Sequence, residues 1–366
     1  MLSMESKKYP TEYDLKEICR SFLHRSELNK FMQSQGIFTI GASTEDVSDV
    51  LCHCIMQLNS IATLRDLAYR GNNKSSLSGF SISSSDETFS LQSIYEKCKD
   101  DNKAILTQGY RLGSLTGIHN GNSFRFQGQL DYKIKKPGRI ELLEVEESQC
   151  TFYIEDIGNG EWRVEVDGGR ASDGKEVQKL FNQLIDKSST RINVMNIDEL
   201  SDSATIDFFD GLTTRGLPSE WRFSDVKSLT FRRGRNQEDE EVNDCEDDEN
   251  KNKNDKLLSG IKQAILEGQN LRQNSFVKSF ENNGCIFTAM TFEFENTQAP
   301  IIIHIRAEFK GSPKIFEVSV VNSFKTIGTD PEQEPCTLSS EDNLKLRSIF
   351  WNNAKALFDE KTGRRK

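Results

Sequence analysis

Glu308-Phe309-Lys310 closes one apolar run, Ile301–Phe309, and Glu293 and Glu295 close the run before it, Cys285–Phe294. Read as strands, these runs end in carboxylates with a lysine beside them. Carboxylates grouped in this way are candidate ligands for a divalent cation. A charged solvent face on a β-hairpin accounts for the same residues without chemistry, and it is the favoured reading. His304 stands between Ile303 and Ile305 on the second run. It is a possible base, although a lone strand histidine is more often structural.

The carboxylate–lysine set is similar to that of the PD-(D/E)xK nucleases, which carry an acidic residue on one strand and an ExK pair on the next. The resemblance implies a metal-dependent nuclease, or a degenerate relative, with Glu293, Glu295, Glu308 and Lys310 as its site and magnesium as its cofactor. This chain departs from the pattern in having Glu where Asp is usual. Another strand also follows where a helix is expected.

Other constellations are less convergent. Arg232, Arg233 and Arg235 adjoin an acidic tract and could grip phosphate, with the tract competing as an internal polyanion; a charge-balanced strand end is the simpler reading. Cys52-His53-Cys54 is the densest group of potential metal ligands, but in a helix residues two apart point in different directions. No second half of a four-ligand zinc site accompanies it. Asp202, Asp207 and Asp210 could share part of a helix face, which is ordinarily solvated. Gly109, Gly113, Gly117 and Gly121 lack the Lys-Ser/Thr of a phosphate loop and are read as turns and bulges in a sheet.

The elements that would position these residues follow from periodicity. Leu15, Ile18, Cys19, Phe22 and Leu23 mark an amphipathic helix, and Ser26 is placed as the cap of a shorter one ending near Gly36. Val47, Val50, Leu51, Cys54, Ile55 and Leu58 predict a longer helix capped by Ser43, with Val47, Leu51, Ile55 and Leu58 buried. Residues 1–70 thus form a helical unit. It could suit a helix-turn-helix or SAP-like DNA-binding element, but a bundle that packs on the rest or on a partner is preferred. The Gly/Ser/Asn-rich stretch 71–86 reads as a loop. A helical segment through Tyr95, a β-meander over Ser123–Asp167 with turns at Lys136-Pro137-Gly138 and Gly158-Asn159-Gly160, and a helix near Lys175–Ile185 come next. A strand at Arg191–Met195, a helix at Leu200–Leu212 and a strand at Val226–Phe231 complete an α+β domain over 87–235. Leu258, Ile261 and Ile265 suggest a helix stopping near Gly268. Strands at Cys285–Phe294, Ile301–Phe309 and Ile315–Val321 and a closing helix through Leu346, Ile349, Phe350 and Leu357 make a small α+β domain over 256–360.

Between these domains lies the segment 236–255, with ten acidic residues against two lysines, −8 of the chain's net −10. It cannot bury enough apolar surface to offset the entropy of ordering, so a disordered linker is expected. The remaining chain is nearly neutral, so global charge neither demands nor excludes nucleic acid. Eight scattered cysteines fit no disulfide framework, and reduced thiols in the cytoplasm are the economical reading. The opening MLSMESKKYP lacks a signal peptide's apolar core, and no run approaches a membrane span. With no catalytic signature in either domain, the sequence favours a non-catalytic accessory protein of a multi-protein assembly, with a bacterial one as a candidate. A protein partner is expected, nucleic acid is a further candidate, and no membrane is involved.

Overall fold

A computed structural model describes residues 9–21, 23, 25–39, 42–70, 75–86, 90–100, 110–120, 123–135, 145–158, 160–169, 173–185, 189–233, 263–282, 284–310, 314–326 and 333–364. These form an α+β structure. In chain order the elements are helices α1 (Glu12–Ser21), α2 (Arg25–Ser34), α3 (Thr44–Cys52) and α4 (Leu58–Arg70), strand β1 (Ser76–Ser84) and α5 (Leu91–Asp100). Strands β2 (Tyr110–Asn120), β3 (Ser123–Lys135), β4 (Val145–Gly158) and β5 (Glu161–Gly168) lead to α6 (Asp173–Leu184), β6 (Thr190–Val194), α7 (Asp202–Arg215) and β7 (Trp221–Arg233). Then come β8 (Gln263–Glu267), α8 (Ser275–Asn282), β9 (Cys285–Asn296), β10 (Ile301–Lys310), β11 (Ile315–Thr326), β12 (Gln333–Pro335) and α9 (Ser340–Thr362). Among the described residues no helix is long and apolar enough to cross a membrane.

The chain divides into two compact units. One comprises Met1–Lys74, Asn102–Gly113 and Leu130–Gln149, the other Ser75–Asp101, Ser114–Gln129 and Cys150–Lys366. In the first, α1–α4 bury Leu15, Ile18, Phe31, Val47, Leu51 and Leu64 together. Ser43 caps α3 as expected, in a reciprocal capping box with Asp46 that satisfies two otherwise orphaned N–H groups. Two expectations fail here. Ser26 lies inside α2 rather than capping it. The third helix ends at Cys52, not beyond Leu58, because His53 forms the C-cap and its Nδ1 lies 2.7 Å from the Asp49 carbonyl. The chain turns and starts α4, so the apolar stripe is cut in two.

The sheet runs β2-β3-β4-β5-β1-β11-β10-β9-β7-β8, with β12 beside β11 and β6 beside β1. At its centre β1 pairs β5 along one edge and shares the other between β11 and β6, all antiparallel. The serine-rich stretch expected to be a loop is therefore a buried strand. Side chains alternate across it. Leu77 joins the core under α9, while Phe80 packs edge-on against Phe181 of α6, ring centroids 5.9 Å apart. Small residues are required because the helix lies close: a Cβ on Gly79 would sit 2.8 Å from the Trp351 ring.

Helices α7, α8 and α9 cover one face of β7, β9, β10 and β11. Phe208 of α7 meets Phe309, Phe316 and Phe358 at centroid distances of 5.7, 5.4 and 6.1 Å. The three expected strands and closing helix are present as β9, β10, β11 and α9. Ile265 belongs to strand β8, with Ala264 and Leu266 packed on the core and Ile265 facing solvent; the period is two, not 3.6, so the expected helix is corrected there. Leu258, Ile261, Ile140, Leu142, Leu143 and the turn Lys136-Pro137-Gly138 lie outside the described residues, as does the acidic segment. Of the elements before and after that segment, β7 lies between β8 and β9, and Phe231 stacks on Phe280 at 4.9 Å. One sheet and one core join both sides.

Candidate functional site

On β9 and β10, residues facing α7–α9 alternate with polar ones facing the other way. The polar row begins with Glu293, paired in register with His304 and also with Asp225 of β7. His304 Nε2 lies 2.9 Å from Glu293 Oε2, and Lys227 Nζ lies 3.1 Å from the same oxygen. Asp225 in turn accepts the Asn270 N–H at 3.1 Å, holding a residue whose φ of 52° is left-handed. The His304 ring also packs edge-on to Phe324, 5.1 Å between centroids. His304 is thus held in a carboxylate–aromatic slot and has no reacting partner beyond it among the described residues.

The nuclease set does not converge. Glu295 pairs with Arg222 at 2.6 Å, and that bond holds its carboxyl below the usual range. Glu308 pairs with Arg306 at 3.2 Å and lies 3.7 Å from Lys310. Glu293 stands four residues along the ladder from the position opposite Glu308, a separation of about 13 Å at the rise of a strand. One divalent ion cannot bind both. Each carboxylate already neutralises a separate cation, as on the charged face of a hairpin. Among the described residues no group of three His, Cys, Asp or Glu could hold a metal.

Sequence reasoning missed the residue that Glu308 does face. Glu317 of β11 is its cross-strand neighbour, buried to 3% exposure, with Oε1 unpartnered. Burial pushes its carboxyl up to about 7, with Glu308 and Asp173 adding and Lys310 and Lys175 opposing. Nothing in the spacing of Glu317 marks it; only the β10–β11 register brings it to Glu308.

The remaining candidates are dispersed. Arg232 is half-buried in β7 with its Nε unpartnered. Arg233 ends the same strand, and Arg235 lies outside the described residues. Around Cys52-His53-Cys54, the Cys52 thiol points to the Glu12 carbonyl at 3.5 Å and the Cys54 thiol to the Val50 carbonyl at 3.2 Å. Burial raises the Cys52 thiol above its ordinary value, the opposite of what a thiolate ligand requires. Asp207 pairs with Lys361 and Asp210 with Arg272, so these two aspartates tie α7 to different elements. Gly113 and Gly117 lie within β2; Gly109 and Gly121 fall outside the described residues.

The break between α3 and α4 creates a feature the sequence pattern hid. Ile55 is 97% exposed, Leu58 68% and Val50 46%, whereas Val47 and Leu51 are buried as expected. Ile55 and Leu58 are therefore corrected from core to surface. Tyr9 braces this turn: its hydroxyl accepts the Met56 N–H at 2.8 Å and is itself half exposed. Tyr13 and Phe38 are exposed on the same unit. Singly exposed surface hydrophobics are ordinary in folded proteins; here Val50, Ile55 and Leu58 fall on or beside one braced turn.

No family model matches the chain, and no curated protein matches it. Among solved structures it is similar to DynU16, a protein in the dynemicin biosynthetic locus, at 14% identity over 78% of this chain and 98% of that one, with a TM-score of 0.16. An overlap of that quality carries no argument about fold or function.

Proposed function

We propose that the protein is a non-catalytic accessory protein that docks a protein partner through the α3–α4 turn of its helical unit. The observation that supports this is the exposure of Val50, Ile55 and Leu58 on a turn fixed by Tyr9. An interface of this kind places aliphatic and aromatic side chains at its centre and polar groups at its rim. The turn needs little ordering on binding, because the Tyr9 hydroxyl and the two helix ends already hold it. Less conformational entropy is then lost on association.

Ile55→Asp and Leu58→Asp are expected to leave the melting temperature within about 2 °C of wild type, since substitutions at exposed sites usually cost under about 0.5 kcal/mol. The same variants should lose a partner that wild type retains. A photo-crosslinker placed at position 55 identifies that partner, and reconstitution with the purified partner measures the loss. A marked fall in melting temperature would show these side chains to be packed. Unchanged partner affinity would show that docking lies elsewhere.

The separation of Glu293 from Glu308 gives the companion expectation. Incubation with single- and double-stranded DNA or RNA and magnesium or manganese should yield no cleavage. Cleavage lost on Glu308→Ala would return the hairpin to catalysis.

A further inference from the structure

Strand β1 stands between two longer ladders. Along one edge it pairs with β5 from Ser76 to Ser83, and Phe80 and Phe152 both pack edge-on against Phe181 of α6. Its other edge meets β11 over three residues: Ser76 with Ser319, Leu77 with Val318 and Ser78 with Glu317. From Phe80 to Ser84 that edge belongs to β6 instead. Strand β11 pairs with β10 over ten positions, from Ile301–Lys325 to Lys310–Ile315. The β1–β11 contact is thus a short seam, and it ends at the first residue of β1. Two further elements tie its sides together. Helix α9 reaches Asp167 of β5 through Arg347 at 2.6 Å and Phe292 of β9 through Phe350 at 5.6 Å. Beyond β6, Asn196 bridges to Ile315 of β11.

A buried carboxylate stands at this seam. Cross-strand neighbours share one face of a sheet, so Glu317 lies between Ser78 of β1 and Glu308 of β10. Helix α6 closes over Ser78: a Cβ on Gly174 would sit 2.4 Å from the Ser78 hydroxyl. The charged groups facing Glu317 are Asp173 and Lys175 from α6 and Glu308 and Lys310 from β10. Strand β1 presents only the Ser78 hydroxyl. Glu308 already lies 3.2 Å from Arg306 and 3.7 Å from Lys310, while Glu317 Oε1 is buried without a partner. An ionised carboxylate is far more costly to keep in such a place than a protonated one.

We propose that the seam is a proton-operated latch. While Glu317 is protonated, β1 and α6 stay closed over it. Loss of that proton lets the seam part from its Ser76 end, so that water reaches the carboxylate. Water enters from this side because the seam gives up three paired positions, whereas parting β10 from β11 gives up ten. Helix α9 and β6 keep the two ladders together, so the opening is local and distinct from unfolding of the whole chain. It is also independent of docking at the α3–α4 turn, which belongs to the other compact unit.

Linkage fixes the direction. The carboxyl titrates near 4.5 when solvated and at about 7 when the seam is closed over it. The closed seam is therefore fully favoured below the lower value and loses that advantage as pH rises towards the upper one. Opening should grow by about tenfold per pH unit between about pH 5 and 7 and level off above.

Residue-resolved amide exchange on the full chain, corrected for the intrinsic rate at each pH from 5 to 8, tests the latch. The amides bonded across Ser76–Ser78 and Glu317–Ser319 should exchange at least about tenfold faster than those of the β9–β10 ladder, which report global unfolding. Low urea should speed the β9–β10 amides and leave the seam amides unchanged, because a local opening exposes little surface. The rise of seam exchange with pH should vanish in Glu317→Gln. Glu308→Gln leaves Glu317 in place and removes one contribution to its raised value, so there the rise should level off at lower pH. This second variant carries the test if the first folds poorly. Seam amides that follow urea as the β9–β10 amides do, or a pH dependence that survives Glu317→Gln, would overturn the latch.

Discussion

Produced as two separate polypeptides, residues 1–235 and 256–366 are expected to copurify as one folded complex, and neither is expected to fold alone. The first fragment carries β7 and α7; the second carries β8, β9, β10, β11 and α9. Strand β7 pairs with β9 from Trp221 to Arg233 and with β8 from Ser228 to Arg232, so separation strips both of its edges. Phe208, Phe209 and Phe231 pack against Phe309, Phe287 and Phe280 across the same divide. Each buried phenylalanine is worth roughly 1.5–3 kcal/mol, and a domain's whole stability is about 5–15 kcal/mol. Exposing three on each side costs about 4.5–9 kcal/mol per fragment, a loss of the same size as that margin. What the covalent connection adds is effective concentration, in the millimolar range for a short flexible link, and co-expression can supply enough free fragment to replace it. A tag on one fragment, size exclusion and circular dichroism give the result. A cooperative melt from either fragment alone would show that the acidic segment does divide independent domains.

Local signals made much of this fold legible. The Ser43 N-cap, the apolar stripe of α6 and the three strands β9 to β11 follow from caps and periods that neighbouring residues supply. The misses share one cause. Strand β1 looks like a loop because Ser76, Ser78, Ser81 and Gly79 have low strand preference, yet it is paired on both edges and the nearby Trp351 ring leaves no room for a side chain at Gly79. The α3–α4 turn was hidden because Cys54, Ile55 and Leu58 continue a helical spacing that the His53 cap interrupts. Strand β8 mimics a helix in sequence because Ile265 sits at helical spacing from Ile261. The seam between β1 and β11 was beyond reach, since Ser78, Asp173, Glu308 and Glu317 come from four separate elements. For the carboxylates, residue types suggested a metal site, while register decided their true neighbours. Glu293 meets His304, and Glu308 meets Glu317.

That last pairing gives the largest expected effect of a single substitution. Glu317→Gln should stabilise the protein at pH 8 and have little effect at pH 4. Burial pushes the Glu317 carboxyl from 4.5 up to about 7 in the fold, so between those values the native state holds a proton that the unfolded chain has released. Native stability from this group is fully present below the unfolded value, falls as pH rises, and is lost once pH passes the folded value. The upward displacement corresponds to on the order of 3 kcal/mol. Glutamine keeps the size of the side chain and stays neutral, so it removes the cost of ionising beside Glu308. The difference in melting temperature between variant and wild type should therefore be near zero at pH 4, rise between pH 5 and 7, and level off above. The same reasoning predicts a smaller gain for Glu308→Gln, because Glu308 is only one contributor beside burial and also pairs with Arg306. Any loss of packing caused by the amide would shift the whole Glu317→Gln curve without changing its slope with pH. Parallel curves for variant and wild type across pH 4 to 8 would mean that Glu317 titrates alike in the folded and unfolded chain, and that its cross-strand neighbour and buried setting do not hold its proton.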